Sequence, residues 1–227
     1  MLATIERSID RVLVHGDPAV IRLDATFPAA AAIADRLHYT GFVAAPAPAP
    51  ATAARDGVIV SVGGGAVGVE LLLAACGARA LSRAHDRPWR LITGPMMPAE
   101  QVAAVAAAAP PGVAVERHRA DFRDLLGQAV LSISQAGYNT VLDLLQCGPR
   151  MVLVPFAAAG ETEQTIRAQQ LASSGRAVIV PEAGLTAEAL ATAVDRVLDG
   201  PPPPPLAIDC DGAAASARAL KRWIAAR

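Results

Sequence analysis

The chain has 227 residues, 53% of them hydrophobic, which is enough for one large domain or for one domain and a fragment of another. Lys and Arg total 20, Asp and Glu total 21, and the net charge is −1, so the sequence offers no basic field for nucleic acid or for an anionic membrane surface. Aromatic residues are 4%, which leaves few platforms on which single-stranded bases could stack.

The start, MLATIERSIDRVLV, carries Glu6 and Asp10 and lacks the apolar run of a signal peptide. No stretch is long and unbroken enough to span a bilayer. Residues 11–14 (RVLV) predict a short strand, followed by a turn at HGDP (15–18). His15 is read as a turn residue, since a catalytic base needs an orienting partner that the sequence does not show. Residues 44–56 begin AAPAPAPATAA, an Ala/Pro stretch that reads as a semi-rigid linker. Residues 1–43 are thereby set apart. They are too few for a domain and read as the tail of an N-terminal domain or an interdomain arm.

A regular alternation follows. Strands are predicted at 57–62, 89–93, 113–117, 129–134, 151–155 and 177–180, and helices at 67–82, 98–108, 121–128, 139–146, 162–174 and 186–199. A Pro-rich spacer and a last helix (212–226) fill residues 201–227. Short β-rich runs alternating with helical patterns predict an α/β domain over residues 57–200, with a Rossmann-like doubly wound parallel sheet. Such sheets bind ligands outside the carboxyl ends of their strands. Cys76, Cys147 and Cys210 form no CxxC, which argues against a disulfide framework or a metal site and suits a reducing cytoplasm.

GGGAVG (63–68) fits the dinucleotide pattern G-x-G-x-x-G between a strand and a helix. That pattern also asks for an acid at the end of the next strand, to hold the ribose diol. The next strand ends in WRLITGPMM without one. The loop therefore reads either as a tight turn or as backbone N–H groups facing an anion or a sugar.

The stretch SQAGYNTVLDLLQCG (134–148) carries more. A buried strand ends at Gln135, Ala136 and Gly137. The helix is expected to start near Asn139 and Thr140, capped by their side chains, with its free N–H groups suited to a diphosphate. Asp143 shares a face with Asn139, one turn on. It reads either as a ribose ligand or as a solvated helix residue. In PFAAAGETEQ (155–164), Glu161 and Glu163 suit the start of a helix, and Gln164 has an amide able to bond sugar hydroxyls.

Together, SQAGYNTVLDLLQCGPRMVLVPF (134–156) and ETEQTIRAQQLASSGRAVIV (161–180) resemble the C-terminal half of family-28 glycosyltransferases, a group that includes the bacterial peptidoglycan N-acetylglucosaminyltransferase. The shared elements are Ser-x-x-Gly-x-x-Thr, an acid three residues later, an apolar strand ending in Pro-Phe, and a Gln-bearing helix. The resemblance covers about residues 57–200 and is strongest over 113–180.

It implies the C-terminal, donor-binding half of a GT-B glycosyltransferase. By the same resemblance, Asp143 would hold the ribose of a UDP-sugar. Gly137, Asn139 and Thr140 would face the diphosphate, and Glu163 and Gln164 the sugar. His118 and Arg119, within ERHRADF (116–122), would cradle the base through their main chain, and Gly64 and Gly65 would face the cleft. The family's paired glutamines are Glu-Gln here. No cofactor or metal is implied, and Asp209-Cys210-Asp211 is set aside as a formal D-x-D in the wrong place. Acceptor binding and the catalytic base would come from an N-terminal domain or a partner subunit, soluble or membrane-associated. The implied location is cytoplasmic or peripheral at the inner membrane face. Two other readings stand beside transfer: a nucleotide-sugar hydrolase, and a non-catalytic nucleotide-binding module.

Overall fold

The computed structural model describes residues 2–48, 54–157, 162–204 and 206–226. The chain divides into two compact units, Met1–Pro46 with Leu206–Arg227, and Ala47–Pro205. The linker read at 44–56 lies partly outside the described residues.

In the first unit, α1 (Leu2–Ser8) leads to β1 (Val12–Val14), α2 (Leu23–Thr26), a 3-10 helix (Pro28–Arg36) and β2 (Leu37–Tyr39). β1 and β2 pair in parallel, Val12 opposite Leu37 and Val14 opposite Tyr39. His15 Nδ1 bonds Thr40 Oγ1 at 3.0 Å. The C-terminal α9 (Gly212–Ala225) joins this unit, a grouping that chain order does not suggest. Gly212 lets it approach: a Cβ there would sit 2.5 Å from the Gly41 carbonyl oxygen and 2.7 Å from that of Phe42.

The second unit is a six-stranded sheet in the order β5-β4-β3-β6-β7-β8, with every pairing parallel. The strands are β3 (Val58–Ser61), β4 (Trp89–Thr93), β5 (Val113–Arg117), β6 (Leu131–Ser134), β7 (Arg150–Leu153) and β8 (Ala177–Ile179). The helices are α3 (Val69–Leu81), α4 (Ala99–Ala108), α5 (Phe122–Gln128), α6 (Tyr138–Cys147), α7 (Glu163–Ser173) and α8 (Ala187–Asp199).

β3 and β6 are buried at every position, as continuous apolar strands covered on both faces must be. Alternate residues feed two cores. Val58, Val60, Leu91, Leu131, Ile133 and Val152 pack with Leu71 and Leu72 of α3, Val105 of α4, and Leu190 and Val194 of α8. Ile59, Ile92, Met151 and Leu153 pack with Leu126 of α5, Val141 and Leu144 of α6, and Leu171 of α7. The sheet is thus doubly wound. Its order reverses between β3 and β6, and that is where such a sheet opens a crevice for ligands.

Candidate functional site

Two loops leave the carboxyl ends of the adjacent strands β3 and β6. After β3 the chain turns through Gly63 (φ +71°) and reaches α3 at Gly68 (φ +102°). A Cβ at Gly68 would lie 2.7 Å from a Val62 methyl and 3.2 Å from Gln135 Nε2, so the glycine lets the two loops meet. The turn after β4 closes on the same loop. A Cβ at Gly94 would stand 2.6 Å from the carbonyl oxygens of both Gly63 and Gly65.

After β6, α6 begins at Tyr138 with Gly137 as its N-cap, a residue with no side chain to bond the first turn. This corrects the sequence expectation. Asn139 and Thr140 are second and third residues of the helix, not its caps, because Gly137 already takes the extended cap conformation (φ −60°, ψ 149°) and its carbonyl accepts from Val141 N at 2.9 Å. The N–H groups of the first turn have no intrahelical acceptor, and the positive end of the helix dipole faces outward with them. At the other end Gly148 (φ +74°) closes the helix, its N–H donating to the Leu144 carbonyl at 2.8 Å.

Two small cavities adjoin at this edge. One, of about 180 Å³, is lined by Ser61, Gly63, Gly64, Ile92, Thr93, Pro95, His118, Phe122, Asn139, Thr140 and Asp143. The other, of about 280 Å³, is lined by Gly64, Gly65, Gln135, Gly137, Tyr138 and Gln164, among others. Gly63, Gly64, Asn139 and Thr140 line both. The residues singled out from the sequence on the glycine loop, on α6, at His118 and at Gln164 are therefore gathered around one locus.

Asp143 is not a solvated helix residue. Its Oδ1 lies 3.1 Å from Arg123 Nε, and the two side chains are 27% and 23% exposed. Burial raises its carboxyl pKa above the ordinary aspartate value, and the positive charge of Arg123 acts in the opposite direction. Gln164 also has a partner: its Oε1 accepts from Phe156 N at 3.2 Å, which turns the NH₂ group into the remaining hydrogen-bonding face of the amide. Glu163 opens α7 with a 64% exposed side chain, 3.8 Å from Arg167. Glu161 lies outside the described residues.

At the β5 end, His118 lines the smaller cavity. The Arg119 guanidinium pairs with Glu116 and Asp121, whose charges push its pKa up. The second strand of the glycine-loop unit, β4, ends at Thr93 with no carboxylate, so the dinucleotide pattern stays incomplete in three dimensions. At the D-x-D, Asp209 accepts from the Asp211 N–H at 2.9 Å and Asp211 pairs with Arg218 at 2.7 Å. Among the described residues no helix is long and apolar enough to cross a membrane.

Two partners in this site were missed in the sequence. Arg123 and Arg167 look there like ordinary charges on amphipathic helices, and nothing in their spacing points to α6.

The sheet order, the switch point and the two loops define a Rossmann-like, doubly wound α/β domain. A family model of the glycosyltransferase family 28 C-terminal domain matches residues 59–217, and the chain belongs to that family. Relatives include the UDP-N-acetylglucosamine--N-acetylmuramyl-(pentapeptide) pyrophosphoryl-undecaprenol N-acetylglucosamine transferase of Rhodospirillum centenum, 40% identical over 85 residues, which are 36% of this chain and 22% of that protein. The enzyme of the same name from Methylococcus capsulatus is 38% identical over 79 residues, 35% of this chain and 22% of that one. The match thus spans about a fifth of these relatives.

Among solved structures, MurG of Acinetobacter baumannii aligns with a TM-score of 0.51 and 21% identity, over 87% of this chain and 67% of that one. The calicheamicin glycosyltransferase CalG4 aligns at 0.58 and 21%, over 84% and 44%. At these identities the likeness is one of fold.

Proposed function

We propose that this chain is the nucleotide-sugar-binding half of an inverting glycosyltransferase that moves a hexose or N-acetylhexosamine from a UDP-sugar to a lipid or glycan acceptor. The observation that carries the reading is the glycine-capped start of α6, which meets the glycine loop at the switch point, with Asp143 on one side and Gln164 on the other.

In this reading the diphosphate lies against the N–H groups of the α6 first turn. Asp143 accepts from the ribose hydroxyls, the base reaches the main chain at His118 and Arg119, and the sugar reaches Gln164, Glu163 and Gln135. Gly64 and Gly65 leave room for the diphosphate. During transfer an acceptor hydroxyl forms the new bond to the anomeric carbon as the bond to the β-phosphate oxygen breaks. The departing electron pair adds negative charge to the diphosphate, where fixed N–H dipoles stabilise it without reorganisation.

The base that takes the acceptor proton lies outside this arrangement, so catalysis requires an N-terminal domain or partner subunit. A peripheral membrane location would suit a lipid acceptor. The relatives' names specify UDP-N-acetylglucosamine, and this supports uracil as the base.

The test is a binding and turnover comparison on the purified chain. UDP should bind and, at 100 times its Kd, add about 2.7 kcal/mol to stability, whereas transfer and hydrolysis of UDP-sugars stay at background. Robust hydrolysis by the chain alone would favour the hydrolase instead. No binding of any nucleoside diphosphate would remove the reading.

A further inference from the structure

The cavity of about 280 Å³ has two walls from different helices, the start of α6 (Gly137, Tyr138) and the start of α7 (Gln164). One residue joins them. Arg167 sits on α7, one turn beyond Glu163 and Gln164, with its side chain 12% exposed. Its Nη1 donates to the Ala136 carbonyl at 2.7 Å, the carbonyl immediately before the α6 N-cap. Its guanidinium carbon lies 5.9 Å from the centre of the Tyr138 ring, the first residue of α6. Its Nη2 is 3.8 Å from Glu163.

An arginine carries its charge at every physiological pH, and its planar fork can bond a carbonyl and lie over an aromatic ring at once. Here it does both on consecutive sides of the α6 start. The contact fixes the peptide preceding Gly137, and so the direction in which the first-turn N–H groups point. It also places a permanent positive charge behind an anion-binding helix end, where little water screens it.

We infer that Arg167 is a positioning residue for the diphosphate: it locks the α6 start to α7 and reinforces its positive field. It acts through the α6 backbone and touches no reacting atom. The inference rests on the donor reading above and adds to it a cationic determinant, on a different helix from Asp143.

The experiment compares UDP with uridine, on the wild type, Arg167→Met and Arg167→Lys, by calorimetry and by NMR titration for the weaker nucleoside. Met keeps the stem packing and loses the charge and the donors; Lys keeps the charge and one donor. The expected result is a UDP affinity about tenfold or more lower in R167M, at least partly restored in R167K, with uridine affinity within about twofold across all three. Equal weakening of UDP and uridine in R167M would show a general packing role and overturn the inference. So would unchanged UDP binding. A wild type that binds UDP while R167M behaves identically defeats only this inference. A wild type that binds no UDP defeats the donor reading, and this inference with it.

Discussion

Arg123 Nε lies 3.1 Å from Asp143 Oδ1, and this pair joins α5 to α6 beside the smaller cavity, which Asp143 lines. Burial outweighs the arginine, so the carboxyl pKa is raised above the ordinary value. A half-buried carboxylate of this kind gains from any ligand that supplies hydrogen-bond donors.

The pH consequence has a definite sign. The folded chain holds the Asp143 proton more tightly than the unfolded chain does, so this residue favours folding at pH below the unfolded value, near 3.9. That contribution is lost as pH rises through the raised folded value. Without ligand, Asp143→Asn should therefore melt no lower than wild type at pH 7, and the difference should vanish toward pH 3. A loss of several degrees at pH 7 would mean that the Arg123 pair outweighs burial.

Nucleotide binding should respond in the opposite direction. Asp143→Ala removes charge-assisted acceptors worth about 1.5–3 kcal/mol, or about 10- to 150-fold in UDP affinity. If the lost partner is the ribose, 2′,3′-dideoxy UDP should bind wild type about as weakly as UDP binds the alanine variant, and the two losses should not add. Additive losses in the four-way calorimetric cycle would separate Asp143 from the ribose.

Gly94→Ala tests the contact between the β4 turn and the glycine loop. The added methyl would lie 2.6 Å from the Gly63 and Gly65 carbonyl oxygens, so the loop must move. The expected cost is about 1–3 kcal/mol of stability, with UDP binding weakened as well. A variant with native melting and native UDP affinity would show that the loop is not held by this contact.

Thr186→Ala serves as a control remote from the site. Thr186 caps α8, its hydroxyl accepting from Ala189 N at 3.1 Å. Losing that bond should cost about 1 kcal/mol and leave nucleotide affinity unchanged. A changed affinity would mean that general stability, not local geometry, governs the binding measurements above.

The sheet was legible in the sequence because its strands are short apolar runs bounded by glycine and proline. AVLSIS and WRLIT read as covered parallel strands; β4 takes all of WRLIT, and β6 takes LSIS, the last four residues of AVLSIS. The site was legible where local chain direction decides it, at the glycine loop and the start of α6. It was not legible where partners are distant in sequence. Arg123 and Asp143 are 20 positions apart in sequence, Arg167 and Ala136 31 apart, and α9 joins the N-terminal residues from the far end of the chain. The cap of α6 was misplaced because Asn139 and Thr140 are strong capping types, whereas glycine caps with its backbone alone. The arginines at 119, 123 and 167 carry no periodic signal that separates a charge facing solvent from one turned back onto a helix end.

The most direct measurement is amide chemical-shift mapping of the chain titrated with UDP. The account predicts the largest changes at Gly64, Gly65, His118, Gly137, Asn139, Thr140 and Asp143, all near the carboxyl ends of β3, β5 and β6, with Gln164 and Glu163 moving further only when a UDP-sugar replaces UDP. Saturable changes confined to other surfaces, with the first turn of α6 unmoved, would contradict it.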